Sequence, residues 1–168
     1  MNKENIHLIF LFIGLLLLQV VVLNNINLFG YLNPFLYILF IFYYPIKKIN
    51  APLLFFSFFL GLSIDFFSNS GGINAAATVF IAFIRIPVLK SILGKREIMD
   101  ENFISLQKMP FPKAVTYIVI LTFIHHFIIF GLEYFKWDNF ATILYKTLFT
   151  SVFTLFFIAI SFIFIKKK

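Results

Sequence analysis

SFFLGLSIDFFSNSGGINAAATVFIAFIR, running from Ser57 to Arg85, is the stretch from which the fold is read. It divides into an apolar segment through Phe67, a polar turn Ser68-Asn69-Ser70-Gly71-Gly72, and a second apolar segment opening with Ile73-Asn74-Ala75-Ala76-Ala77. Ser57, Gly61 and Asp65 recur every four residues, so one helix face carries two small residues and a carboxylate. In a membrane, small residues let backbones approach closely, and an acid on the same stripe faces protein and not lipid tails. Thr78, Ala82 and Arg85 form a comparable stripe on the second segment, ending in the opposite charge. A helical hairpin with packed inner faces follows.

Composition extends this reading to the whole chain. Of 168 residues, 61% are hydrophobic and 12% charged, with mean hydropathy +0.98, whereas a soluble domain carries about a quarter charged residues. The chain therefore reads as an integral membrane protein. Phenylalanine, Ile, Asn and Lys are together what an A/T-rich genome writes, so the 27 phenylalanines carry no functional signal by themselves. The absence of cysteine excludes disulfides, thiolate nucleophiles and thiolate metal sites.

Working outward, apolar runs place six spans at about 6–23, 31–45, 52–67, 73–93, 114–135 and 140–165, in an all-α polytopic bundle of one domain. Asn24-Asn25-Ile26-Asn27 after the first run is unlike a signal-peptide cleavage site, so that run is expected to be retained. Asn33-Pro34 marks a helix start. From Pro34 to Tyr44 such a helix rises only about 16 Å, short of a hydrocarbon core of about 30 Å. Either it begins nearer Leu28, or it is thin, tilted or half buried in the bundle. Pro87 is expected to kink the fourth span, and residues 94–113 read as a polar cytoplasmic loop.

With six spans, Lys3, Lys47, Lys48, Lys90, Lys95, Arg96, Lys108, Lys113 and Lys166-Lys167-Lys168 fall on one side, and only Lys136 on the other side's loops. Basic residues favour the cytoplasm, so both termini are expected there. Their spread over several short loops suits anionic lipid and argues against nucleic acid as a partner.

Helix rise puts Asp65 about 10 Å below the outer boundary and Lys146 about 9 Å below it, so the two are expected to pair, with snorkelling to the outer interface the alternative for Lys146. Arg85 lies deeper, where it is expected to donate to the Phe83 carbonyl freed by Pro87 or to snorkel to cytoplasmic headgroups. His125 and His126 fall near the middle of the fifth span, and adjacent residues point about 100° apart, so they cannot clasp one ion together. They read as polar packing residues. No H-E-x-x-H and no nucleophile elbow is present, so neither a metal nor a cofactor site is expected, and the chain does not read as an enzyme.

Six short apolar spans, Gln19 late in the first, the Asn33-Pro34 start, and Gly61-x-x-x-Asp65 before Gly71-Gly72 and a small-residue helix resemble the bacterial rod shape-determining MreD family. The resemblance covers the chain and is sharpest from Ser57 to Pro87. It implies a non-enzymatic scaffold of the cell-elongation machinery in the inner membrane. Such a scaffold binds an MreC-like bitopic partner and, through it, links MreB filaments to peptidoglycan synthases. The partner's single span is expected on an aromatic outer face. That family is similar in fold to the substrate-binding components of energy-coupling-factor vitamin transporters, which supplies the alternative function. For that alternative, Asn24, Asn25, Asn27, Ser68, Asn69, Asn74 and Asp138 are the polar residues expected at an outer cavity.

Overall fold

The computed structural model describes residues 3–26, 32–46, 51–94, 106, 109–135 and 140–165. Among them the fold is all-α. We number the helices α1 (Lys3–Leu17), α2 (Leu39–Tyr43), α3 (Ala51–Ser68), α4 (Ile73–Leu93), α5 (Phe111–Glu133) and α6 (Phe140–Ile165). Among the described residues five stretches are long and apolar enough to cross a membrane: Ile6–Asn25, Ala51–Ser68, Ile73–Leu93, Phe111–Glu133 and Phe140–Phe162. The chain is thus a multi-pass membrane protein by length and composition.

The remaining pass is irregular. From the end of α1 to the start of α3 the chain crosses back through Leu32–Phe35, a 3-10 turn at Leu36–Ile38 and the five-residue α2. Leu36 to Phe42 are all buried, none more than 7% exposed, so this helical piece is surrounded by protein on every side. At about 1.5–2 Å per residue it spans only half a bilayer. Of the alternatives left open by the sequence, burial inside the bundle is the one that obtains. Non-helical backbone at this depth is tolerated because other helices enclose it.

α3 packs on α4, α4 on α5 and α5 on α6, while α1 lies against α2 and α3. Asn24, at the end of the Ile6–Asn25 stretch that α1 opens, donates to the Ser68 hydroxyl at the end of α3 (2.9 Å), so these two stretches run in the same direction. We call that end distal. At the opposite, proximal end, Tyr43 meets Phe162 of α6 and Phe42 meets Tyr117 of α5. α1 therefore starts, and α6 finishes, at the same end of the bundle. The irregular pass preserves the parity that six full spans would give.

One detail differs from the sequence expectations. α5 begins at Phe111, three residues earlier than expected, and Leu106 and Met109 from the supposed polar loop are buried in the core. α4 carries Pro87 inside a single helical segment. Lys47, Lys48, Lys95, Arg96, Lys108, Lys136, the terminal lysines, Asn27 and Asp138 lie outside the described residues, as does most of the 94–113 loop.

Candidate functional site

At Gly61 α3 comes into close contact with the backbone of α4. A Cβ built there would lie 2.5 Å from the Ala75 Cα and 2.7 Å from both the Ala75 nitrogen and the Asn74 carbonyl oxygen. Those neighbours are backbone atoms, so only glycine fits without moving the helices apart. Ser57 and Asp65, one turn to either side, are also buried, as are Thr78 and Ala82 on the facing helix.

The close approach positions Asp65 to cap α4. The helix is entered through Asn69, Gly71 and Gly72, all with positive φ, and Gly72 at the cap position has no side chain to receive the first amides. Asp65 supplies what Gly72 lacks: its two carboxylate oxygens accept from the Asn74 N–H (2.9 Å) and the Ala75 N–H (2.8 Å). Ser70 Oγ and Asn74 Nδ2 donate to it as well. A carboxylate at a helix N-terminus is favoured by both hydrogen bonding and the helix dipole. The Thr78 hydroxyl closes the turn by donating to the Asn74 carbonyl.

Asp65 therefore does not pair with Lys146. The Lys146 ammonium stands 4.6 Å from the Tyr134 ring centroid and 5.8 Å from that of Phe130. Similar depth did not place the two side chains on facing surfaces. α4 lies between the helix carrying Asp65 and the α5–α6 pair carrying Lys146.

Arg85 does something else again. Its side chain is fully buried, and its bonds within the described residues go to carbonyls of the second pass and not to that of Phe83. One terminal nitrogen donates to the Ile41 (3.0 Å) and Tyr44 (3.1 Å) carbonyls and the other to Pro45 (2.7 Å), and the guanidinium lies 5.7 Å from the Tyr44 ring centroid. A short helix ends with unpaired carbonyls and a partial negative charge, and a planar cationic fork meets both.

The other end of the irregular pass is held at mid-depth. α1 passes into a π-turn at Leu18–Val22, which carries the fully buried Gln19. Gln19 accepts from the Leu36 N–H (2.8 Å) and donates to the Pro34 carbonyl (2.9 Å). The Phe35 N–H donates to Thr154 Oγ1 on α6 (3.1 Å). Three backbone groups that no helix satisfies are thus satisfied by side chains from α1 and α6.

Two histidines join this network with definite polarity. The Thr122 carbonyl can only accept, so His126 carries its proton on Nδ1 (2.6 Å), and Nε2 accepts from the Thr154 hydroxyl (3.0 Å). Tyr37 donates to Asn74 Oδ1 (2.8 Å), so its oxygen accepts from His125 Nε2–H (3.1 Å). A directed chain runs from His125 through Tyr37 and Asn74 to Asp65. It ties α5, the irregular pass and the α3–α4 turn together.

Sequence reasoning placed Ser57, Gly61, Asp65, Thr78, Ala82 and Arg85 in the interior, where they lie, and Gly71 and Gly72 in the turn they form. It missed Tyr37 and Thr154, which no local pattern distinguishes, and the capping role of Asp65. The signal for the latter is a helix start at Gly72-Ile73 with no Ser, Thr, Asn or Asp at the cap position. Outside the bundle, Phe55, Phe58, Phe59 and Phe66 of α3 are exposed, and a groove of about 520 Å³ between α3 and α4 is lined by Phe58, Leu62, Ala76, Val79 and Phe80. No family model, curated protein or solved structure matches the chain.

Proposed function

We propose that this protein is a non-enzymatic membrane scaffold of the bacterial cell-shape machinery, as its resemblance to MreD suggests. In this reading it sits in the cytoplasmic membrane with both termini inside, binds an MreC-like bitopic partner, and through it connects MreB filaments to peptidoglycan synthases. The observation that carries the scaffold reading is the use made of the interior polar groups. Asp65 caps α4, Arg85 terminates α2, and Gln19, Thr154 and His126 anchor the irregular pass. Polar side chains that fix backbone leave recognition to the surface, where exposed phenylalanines of α3 flank a groove floored by small residues. Such a surface suits a single transmembrane helix, which associates in lipid by close packing.

The substrate-binding component of an energy-coupling-factor vitamin transporter is the second reading. The interrupted second pass favours it, because broken helices at mid-depth are where transporters place their ligand sites. Purification of the tagged protein from its native membrane in mild detergent, with mass spectrometry of what accompanies it, separates the two. Recovery of a bitopic MreC-like protein with wall-synthesis enzymes is the expected result. Recovery of paired ATPases with a transmembrane coupling subunit and a bound vitamin overturns the scaffold reading.

A further inference from the structure

Apart from the groove between α3 and α4, a second cleft lies between α1 and α3, with the irregular pass as its back wall. Ile9 and Phe12 of α1, Phe40 and Tyr44 of the second pass, and Pro52 and Phe56 of α3 border a space of about 440 Å³. All six belong to the proximal half of the bundle. Ile9 (43% exposed) and Phe56 (39%) stand at the rim, so the cleft opens sideways to lipid.

Its shape and its charge both limit what fills it. The Phe12, Phe40 and Phe56 rings meet edge to face, with centroids 5.6 to 6.4 Å apart, and close the deep end. From Pro52 to Phe56 the wall rises only about 6 Å. A spanning helix about 30 Å long gains little from so shallow a recess, whereas the glycerol and first methylenes of a lipid lie at this depth. The chain from Tyr44 to Pro52, tethered to the cleft at both ends, carries Lys47 and Lys48, and α1 opens with Lys3. Arg85 adds a buried guanidinium 5.7 Å from the Tyr44 ring centroid. Glu4 is the one carboxylate that these same segments set against the four cations. Basic residues at this level attract anionic headgroups, and a tyrosine suits the boundary between headgroup and hydrocarbon.

We propose that this cleft is a binding site for one anionic phospholipid of the proximal leaflet, with its phosphate toward Tyr44 and the basic 44–52 connection and its first methylenes against the three phenylalanine rings. The lipid fills the gap that the short second pass leaves between α1 and α3. It thereby braces the element whose last carbonyls Arg85 holds from the other side. The site goes beyond the scaffold reading and does not depend on it.

Trp137 is the only tryptophan, so Trp137→Phe gives a silent background for a fluorescent reporter. Ile9→Trp places the reporter on the rim of the cleft, and Phe156→Trp places a control on the exposed side of α6. Each full-length variant is reconstituted in phosphatidylcholine with a minor fraction of either phosphatidylglycerol or phosphatidylcholine brominated near the glycerol end of one chain. At Ile9→Trp the brominated phosphatidylglycerol should quench at least twofold more than the brominated phosphatidylcholine, and at Phe156→Trp the two should quench alike. Equal quenching at Ile9→Trp, or the same preference at Phe156→Trp, overturns the site. Quenching by neither lipid at Ile9→Trp means that a second copy or another protein's helix fills the cleft, and overturns it too. Where Ile9→Trp is not recovered folded, native mass spectrometry of the wild type released from nanodiscs of equal phosphatidylglycerol and phosphatidylcholine decides. Retained phosphatidylglycerol should exceed phosphatidylcholine at least twofold, and no excess overturns the proposal.

Discussion

The α3–α4 hairpin and the irregular second pass are held in opposite ways. In the hairpin, everything needed lies within 25 residues: Gly61 admits the Ala75 backbone, and Asp65 caps the helix that the Gly71-Gly72 turn begins. The second pass has no such local support. Gln19 from α1, Thr154 from α6 and Arg85 from α4 satisfy its backbone, and the partners are 15 to 119 residues away in sequence. One element is encoded beside itself, the other by its surroundings. Backbone that supplies its own hydrogen bonds tolerates change elsewhere, whereas backbone stapled by distant side chains depends on each of them.

Gly61 gives the largest expected effect. Its neighbours are backbone atoms, so Gly61→Ala should destabilise the detergent-solubilised protein by about 3 kcal/mol, and Gly61→Leu should yield no folded protein. Thermal unfolding and monodisperse yield measure both, and wild-type behaviour of the leucine variant would break the hairpin half of the comparison.

Next comes Arg85. Arg85→Lys keeps a charge but cannot fork to three carbonyls, and a loss of about 2–3 kcal/mol is expected in the same unfolding assay. A smaller effect follows for Asp65→Asn, about 1–2 kcal/mol, since the amide still offers one acceptor to the start of α4. Double-mutant cycles sharpen this. Asp65→Asn should combine with Lys146→Met additively to within about 0.5 kcal/mol, but with Asn74→Ala non-additively, because only the second pair is in contact. Smallest of all, Lys146→Met alone should cost under about 1 kcal/mol, the loss of an ammonium over two aromatic rings.

The same contrast explains what could be read from the sequence. The hairpin's stripes, turn and close approach are local spacings, and Gly61-x-x-x-Asp65 before a double glycine displays them directly. The pairing of Asp65 with Lys146 failed because depth along a helix is legible while the order of helices around the bundle is not. Arg85 was misassigned for a related reason: its true acceptors belong to Ile41, Tyr44 and Pro45, whose nearness follows only from the fold.

Hydrogen exchange of the protein in lipid nanodiscs, read by mass spectrometry for wild type and Arg85→Lys, tests most directly whether the second pass is held by its neighbours and the hairpin by itself. Amides from Leu36 to Tyr44 should lose protection by tenfold or more in the variant, while those from Gly61 to Ala76 remain as in wild type. Equal loss in both regions, or unchanged protection in the second pass, would contradict the distinction.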